Sequence, residues 1–262
     1  MQRREFLSLA ALAAVDFKGT IKLLDQDIKD NNLDRILRVN ETAEPYLGHV
    51  LDACKKHSST FPLPPAFPAF LFHFESSYDR LAWSSTGAFG IAQFIIRTAR
   101  EEGLHTISEK EDPYHSMKEA YKKYTKTARR AQRMFDWNRF DQAIELKRQV
   151  PALRRDYQKK FRAAKDHYQS IFRDQPLEIT DKIDERANPF LSIDKGVGYL
   201  AKLARAVKHD TGLNDAYVLL LAAAGYNAGL NATLNTFRGI PLYEETMKYV
   251  NRLMMSYGKL HE

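Results

Sequence analysis

Cysteine occurs once in this chain of 262 residues, at Cys54. An intramolecular disulfide is therefore impossible, no cysteine-based zinc site can be built, and the lone thiol is expected to sit buried and inert. Runs alternating valine, isoleucine and threonine with polar residues are scarce, so a sheet is not expected. No stretch reaches the roughly 18 apolar residues a membrane-spanning helix needs. His57, His73, His105 and His115 show no ligand spacing, so neither a metal nor another cofactor is implied. Acidic residues are the scarcer charge: 33 against 40 lysines and arginines, a formal net charge of +7. That deficit is local. His115 to Asp174 holds 17 basic and 7 acidic residues, a net +10, which leaves the remaining residues at −3. A general affinity for nucleic acid is not what such a distribution implies.

What is present is helix-forming sequence, with leucine, alanine, lysine and glutamate at helical spacing. Met1 to Val15 has a basic start and then an apolar, alanine-rich run. It resembles an export signal, and Arg3-Arg4-Glu5-Phe6-Leu7 resembles the twin-arginine type. That start implies a periplasmic or exported location, and no cysteine follows that could carry a lipoprotein anchor. Residues 16–60 read as an N-terminal helical region. After the proline-rich segment Phe61 to Pro68, a helix starts near Pro65 or Ala66 and sets Phe67, Phe70, Leu71 and Phe74 on one buried face. Gly103 stops a short helix. Two long charged helices are expected over 114–174, broken at Pro151, with no recognised nucleic-acid motif. Asn214 is placed to cap Asp215–Ala224, apolar on every side and so a central buried helix. In the last helix Met247, Val250, Met254 and Tyr257 share a face.

Chemistry concentrates around Glu75. It ends the phenylalanine-rich helix, where apolar neighbours remove solvent and raise a carboxyl's pKa, as a general acid at neutral pH requires. Asp79, four residues on, reads as a turn residue rather than a second catalytic carboxylate. Ser84 to Gln93 offers hydroxyls, an amide and glycines that let a ligand approach the backbone. Gly225-Tyr226-Asn227-Ala228-Gly229 follows the apolar helix with an aromatic ring and an amide.

Together these motifs resemble lytic transglycosylases with the SLT-type, lysozyme-like domain, and most nearly the membrane-bound lytic transglycosylase D type. The resemblance is carried by Glu75-Ser76-Ser77-Tyr78; by Ser84, Gly87-Ala88, Gly90 and Gln93-Phe94; by Thr98-Ala99-Arg100; by Gly225-Tyr226-Asn227-Ala228-Gly229; and by Pro241-Leu242-Tyr243-Glu244-Glu245-Thr246 with Tyr249-Val250. Asp184-Glu185-Arg186 and Gly198-Tyr199-Leu200 also have counterparts. Ile96 stands where that family usually has proline, and Gly225 where it usually has alanine.

The resemblance implies an all-α, goose-type lysozyme-like fold whose catalytic domain covers 61–111 and 179–262, with a long basic helical hairpin inserted at 112–178. It implies cleavage of the β-1,4 bond between N-acetylmuramic acid and N-acetylglucosamine in peptidoglycan glycan strands, with a 1,6-anhydro product. Glu75 would act as acid and then base, while Ser84, Gln93, Tyr226, Asn227 and Tyr249 bind substrate or close the site. A non-catalytic wall-binding or secretion-assembly protein and a hydrolytic muramidase are the alternatives. The hairpin is expected to flank the glycan or to dock a protein or anionic-polymer partner; its polar face mixes both charges too evenly to argue a membrane surface.

Overall fold

The computed structural model describes residues 22, 23, 26, 41–108, 110, 113–237 and 244–259. The export signal, most of the first helical region up to residue 40, and Pro241-Leu242-Tyr243 lie outside the described residues. The described residues are all-α, and the only strand-like pairings among them are isolated bridges joining Phe89 to Trp83 and to Phe94. None of the described helices is long and apolar enough to cross a membrane. The chain divides into two compact units, Met1–Tyr78 with Pro189–Glu262, and Asp79–Asn188.

The first unit contains α1 (Glu44–His57) and α2 (Ala66–Ser76). Because its other helices follow the second unit in the chain, they are numbered below from α7. Pro65 caps α2 and Pro68 lies in its first turn, where a missing N–H removes no helical bond. Ala66 through Phe72 are all buried, so this helix is apolar-packed on every side, while Phe74 is only half-buried. The expected single face is too narrow a description, because helices surround the segment. Ser77 ends α2 with φ 52°, and Tyr78 follows at φ 61°. Two consecutive side-chain-bearing residues in left-handed conformation cost on the order of 1 kcal/mol each. Tyr78 offsets this by burial, by donating its hydroxyl to Ala69 O at 2.9 Å, and by stacking on Tyr46 at 5.7 Å.

The second unit holds α3 (Ile96–Glu101), α4 (Tyr114–Asp136), α5 (Phe140–Phe172) and α6 (Leu177–Ile183). Ile96 is buried and occupies the first helical position of α3, where proline is also well accommodated. Gly103 ends this helix region at φ 81°. Helices α4 and α5 run antiparallel: Tyr114 meets Tyr168, Tyr124 stacks on Tyr157, and Phe135 meets Phe140. The reversal is at Trp137–Arg139, with Asn138 at φ 57°, and Pro151 lies inside α5. The expected break at Pro151 is thus corrected. One lost backbone bond, with a cost of about 3 kcal/mol, is outweighed where Tyr157, Ala164, Tyr168 and Phe172 are buried along the same helix. Phe135 is exposed.

The first unit resumes with α7 (Pro189–Thr211), α8 (Asp215–Ala228), α9 (Leu230–Phe237) and α10 (Glu244–Lys259). Asn214 caps α8 by accepting from Tyr217 N at 3.2 Å, and Ala216 and Val218 through Gly225 are buried. Helix α8 packs on α7, α9 and α10, and α7 also packs on α1. Val250, Leu253, Met254 and Tyr257 bury one side of α10, with Tyr257 edge-on to Phe70 of α2 at 5.0 Å. Cys54 is buried, which pushes its thiol up to about 12.

Candidate active site

In the first unit, Glu75 stands in the last turn of α2. Tyr249, from α10, donates its hydroxyl to Glu75 Oε1 at 2.6 Å across 174 residues of sequence. The Phe74 ring meets Tyr249 edge-on at 5.4 Å. Protein crowds the Glu75 carboxyl, and loss of solvent pushes its pKa up to about 7, although the Tyr249 hydrogen bond pulls the other way. Glu75 is nevertheless only half-buried as a residue. Tyr249 itself is buried; burial, and then the neighbouring Glu75 charge, hold its phenol well above the usual range, so it remains a donor.

Tyr226, in the last turn of α8, lies near enough to raise the Tyr249 phenol further, and its ring meets Tyr199 of α7 at 5.4 Å. Asn227 is exposed beside it. Gly229 closes α8 at φ 87°, donating its N–H to Gly225 O at 2.7 Å. Glu75, Tyr226 and Tyr249 therefore gather in one unit, with Tyr199 as a member that the sequence reading did not single out. Its signal was the Gly198-Tyr199-Leu200 motif: Gly198 lies so close to the His57 ring that a Cβ there would come within 2.9 Å of His57 Cε1. His57 in turn contacts Asp194 Oδ1 at 3.2 Å, and Lys56 reaches Asp194 Oδ2 at 2.7 Å.

Ser84 and Gln93 belong to the second unit. Ser84 Oγ accepts from Ala88 N at 2.9 Å and exchanges a hydrogen bond with Thr86 Oγ1 at 3.0 Å, so its hydroxyl closes its own loop. Gln93, at φ 50°, donates Nε2 to Gly90 O at 2.8 Å and to Ala82 O at 3.1 Å, which leaves Oε1 as its acceptor. Asp79 Oδ1 accepts from Leu81 N at 2.8 Å, the turn role expected of it.

Beneath this loop lies a buried ion pair. Arg186 Nη2 bonds Asp184 Oδ2 at 2.6 Å and Arg186 Nε bonds Oδ1 at 2.9 Å, with both side chains wholly enclosed. Arg186 Nη1 donates to Phe94 O at 3.0 Å and Gly87 O at 3.3 Å, and the guanidinium lies over the Phe89 ring. The pair thus ties down both ends of the Gly87–Phe94 segment. The hairpin supports the same loop: Tyr157 donates to Ser85 O at 2.6 Å, and Tyr114 packs against Gly87. Among the described residues no group of histidine, cysteine or carboxylates could hold a metal ion.

The transglycosylase SLT domain family matches residues 52–138 and 168–241, more than half of the chain. Neither a curated protein nor a solved structure matches it.

Proposed function

The chain belongs to the transglycosylase SLT family, and from that premise we propose that it is a peptidoglycan lytic transglycosylase of the D-type flavour with Glu75 as its single acid and base. The observation that carries the reading is the crowded Glu75 carboxyl, its pKa pushed up to about 7, held by the Tyr249 hydroxyl. Tyr249 occupies Oε1, so the proton of the neutral acid belongs on Oε2, which is left to meet the substrate. Glu75 gives that proton to the glycosidic oxygen as the bond to the anomeric carbon of N-acetylmuramic acid breaks. The resulting carboxylate is steadied by the Tyr249 hydroxyl. It then takes the proton from the C6 hydroxyl as that oxygen bonds to the anomeric carbon. The products are an anhydro end and a free 4-hydroxyl, with Glu75 again protonated. Glycosidases that use water need a second carboxylate as base or nucleophile; an internal hydroxyl removes that need.

Motif position assigns Ser84 and Gln93 to sugar contacts, Gln93 through its remaining acceptor, Tyr226 to orienting the acid region, and Asn227 to substrate. An exported, periplasmic setting fits both the family and the twin-arginine-like start of the sequence. The test is digestion of purified sacculi followed by mass spectrometry of the muropeptides. Anhydro ends that vanish in Glu75→Gln support the reading. Reducing ends would identify a hydrolytic muramidase, and absence of products from the wild type would identify a wall-binding or assembly protein.

A further inference from the structure

Large apolar side chains stand exposed at eight places among the described residues, and four of them, Phe135, Trp137, Phe140 and Ile144, fall within ten residues at the tip of the α4–α5 hairpin. Trp137 is the most open, at 59%. Phe135 and Phe140 pair edge-on at 5.4 Å, and Ile144 follows Phe140 by one helical turn, so the four crown the turn as a small cap. Charges of both signs stand at the cap: Asp136, Asp141 and Glu145, with Arg133, Arg139, Lys147 and Arg148, lie in or beside it. Lys147 lies over the Phe135 ring at 4.8 Å and Arg139 over Trp137 at 5.9 Å. Lys122, Lys126, Arg129 and Arg133 are spaced along one side of α4 toward the turn. Lys126 to Arg148 carries seven basic residues and three acidic ones.

A soluble domain gains nothing from four water-exposed apolar side chains at the end of a helical arm. A soluble polyanion would use the cations and leave Ile144 and Phe140 unsatisfied. An anionic bilayer satisfies both halves of the pattern. Aromatic rings settle at the level of the headgroups, aliphatic side chains enter the acyl boundary, and lysine and arginine meet lipid phosphates. The even mixing of charge along the whole hairpin hid this in the sequence, because the reversal was placed at Pro151 rather than at Trp137–Arg139. We propose that the hairpin tip docks the protein on an anionic lipid surface, with Trp137, Phe140 and Ile144 entering the interface and Arg133, Arg139 and Lys147 holding headgroups. This inference does not depend on the chemistry assigned to Glu75.

The experiment uses the full chain with vesicles of phosphatidylglycerol and phosphatidylcholine, compared with phosphatidylcholine alone. Because Met1 to Val15 is itself basic and apolar, sedimentation alone would not locate the contact. The chain has two tryptophans, and Trp83 is buried in the second unit. Emission from Trp137 in Trp83→Phe, or the vesicle-dependent change in the wild type, therefore reads the tip directly. Anionic vesicles should shift this emission to the blue, and brominated lipid should quench it. Trp137→Ser with Phe140→Ser should weaken binding about tenfold or more, without moving the melting curve. Arg133→Glu with Arg139→Glu should weaken it by about tenfold on anionic vesicles only. Glu75→Gln should bind as wild type. Unchanged Trp137 emission on anionic vesicles, or a Phe140→Ser variant whose Trp137 emission responds at the same vesicle concentration as wild type, would overturn the proposal. So would an emission shift produced by an oligonucleotide and not by vesicles, or a self-association lost in the serine variants without any vesicle response.

Discussion

The proposed mechanism asks Glu75 to hold a proton near neutrality and still reach solvent, and its position at the end of a buried helix is compatible with both demands. An ordinary glutamate titrates near 4.5, whereas burial puts this one at about 7. If Glu75 is the acid, as proposed, the free protein is competent only with it protonated, so kcat/KM should fall as pH rises through about 7, in a profile measured on soluble glycan fragments. The stability linkage has the same origin. Between about 4.5 and 7 the folded protein keeps a proton that the unfolded chain has lost, so folding stability declines as pH rises across that window. Glu75→Gln escapes this cost and should be more stable than wild type at pH 8, by about 1–3 kcal/mol in denaturant melts. It should also show no cleavage. Tyr249→Phe removes a donor that favours the ionised form, so the Glu75 pKa should move higher still. With a hydrogen bond to a charged group contributing about 1.5–3 kcal/mol, cleavage should drop tenfold or more while the alkaline limb shifts to higher pH. A Tyr249 that only filled space would lower activity without moving that limb. At Gly225 a Cβ would meet Leu203 and Thr233 at an ordinary 3.4 Å. Gly225→Ala should therefore be tolerated and raise stability by about 0.5–1 kcal/mol.

At the scale of elements, the Ser84–Phe94 loop depends on parts far away in sequence. Arg186 reaches Gly87 O and Phe94 O from about ninety residues later. Arg186→Met would leave the Asp184 carboxylate enclosed without its partner, a loss of about 3–5 kcal/mol that thermal melts would register. Gly87 is constrained twice: its φ is 86°, and a Cβ would lie 2.7 Å from Tyr114 Cε2. Gly87→Ala should then destabilise by about 2 kcal/mol or more, and a smaller residue at position 114 should recover part of that loss. The long helix α5 shows the opposite balance. Its proline is a local breaker, yet the helix continues through Pro151 because the burial of Tyr157, Ala164, Tyr168 and Phe172 beyond it is stronger.

For the molecule as a whole, the hairpin has two parts with different duties. Its base is core: Tyr114, Tyr157, Tyr168 and Phe172 pack with Trp83 and Phe89 in the second unit. Its far end projects exposed rings and cations. The SLT match runs to residue 138 and resumes at 168, so within the hairpin only 139–167 falls outside it. Removing 112–178 should unfold the second unit, with loss of its helical signal in circular dichroism. Replacing 129–151 by a short turn keeps the Tyr124–Tyr157 stack and should melt as the full chain does. The trimmed protein should still cleave soluble glycan, while losing its response to anionic vesicles.

The order of helices, the cap at Asn214, the buried α8 and the turn at Asp79 followed from the sequence by itself, together with family membership. These depend on spacing, caps and motifs, which are local properties of a chain. Only the tertiary structure decided that Tyr249 bonds Glu75, that Arg186 clamps the loop, and that the hairpin turns at Trp137 rather than at Pro151. A pKa is set by whatever crowds a carboxyl in space, and a helix survives a proline when distant side chains pack well enough. Neither quantity is written in the neighbouring residues, so folding alone supplies both.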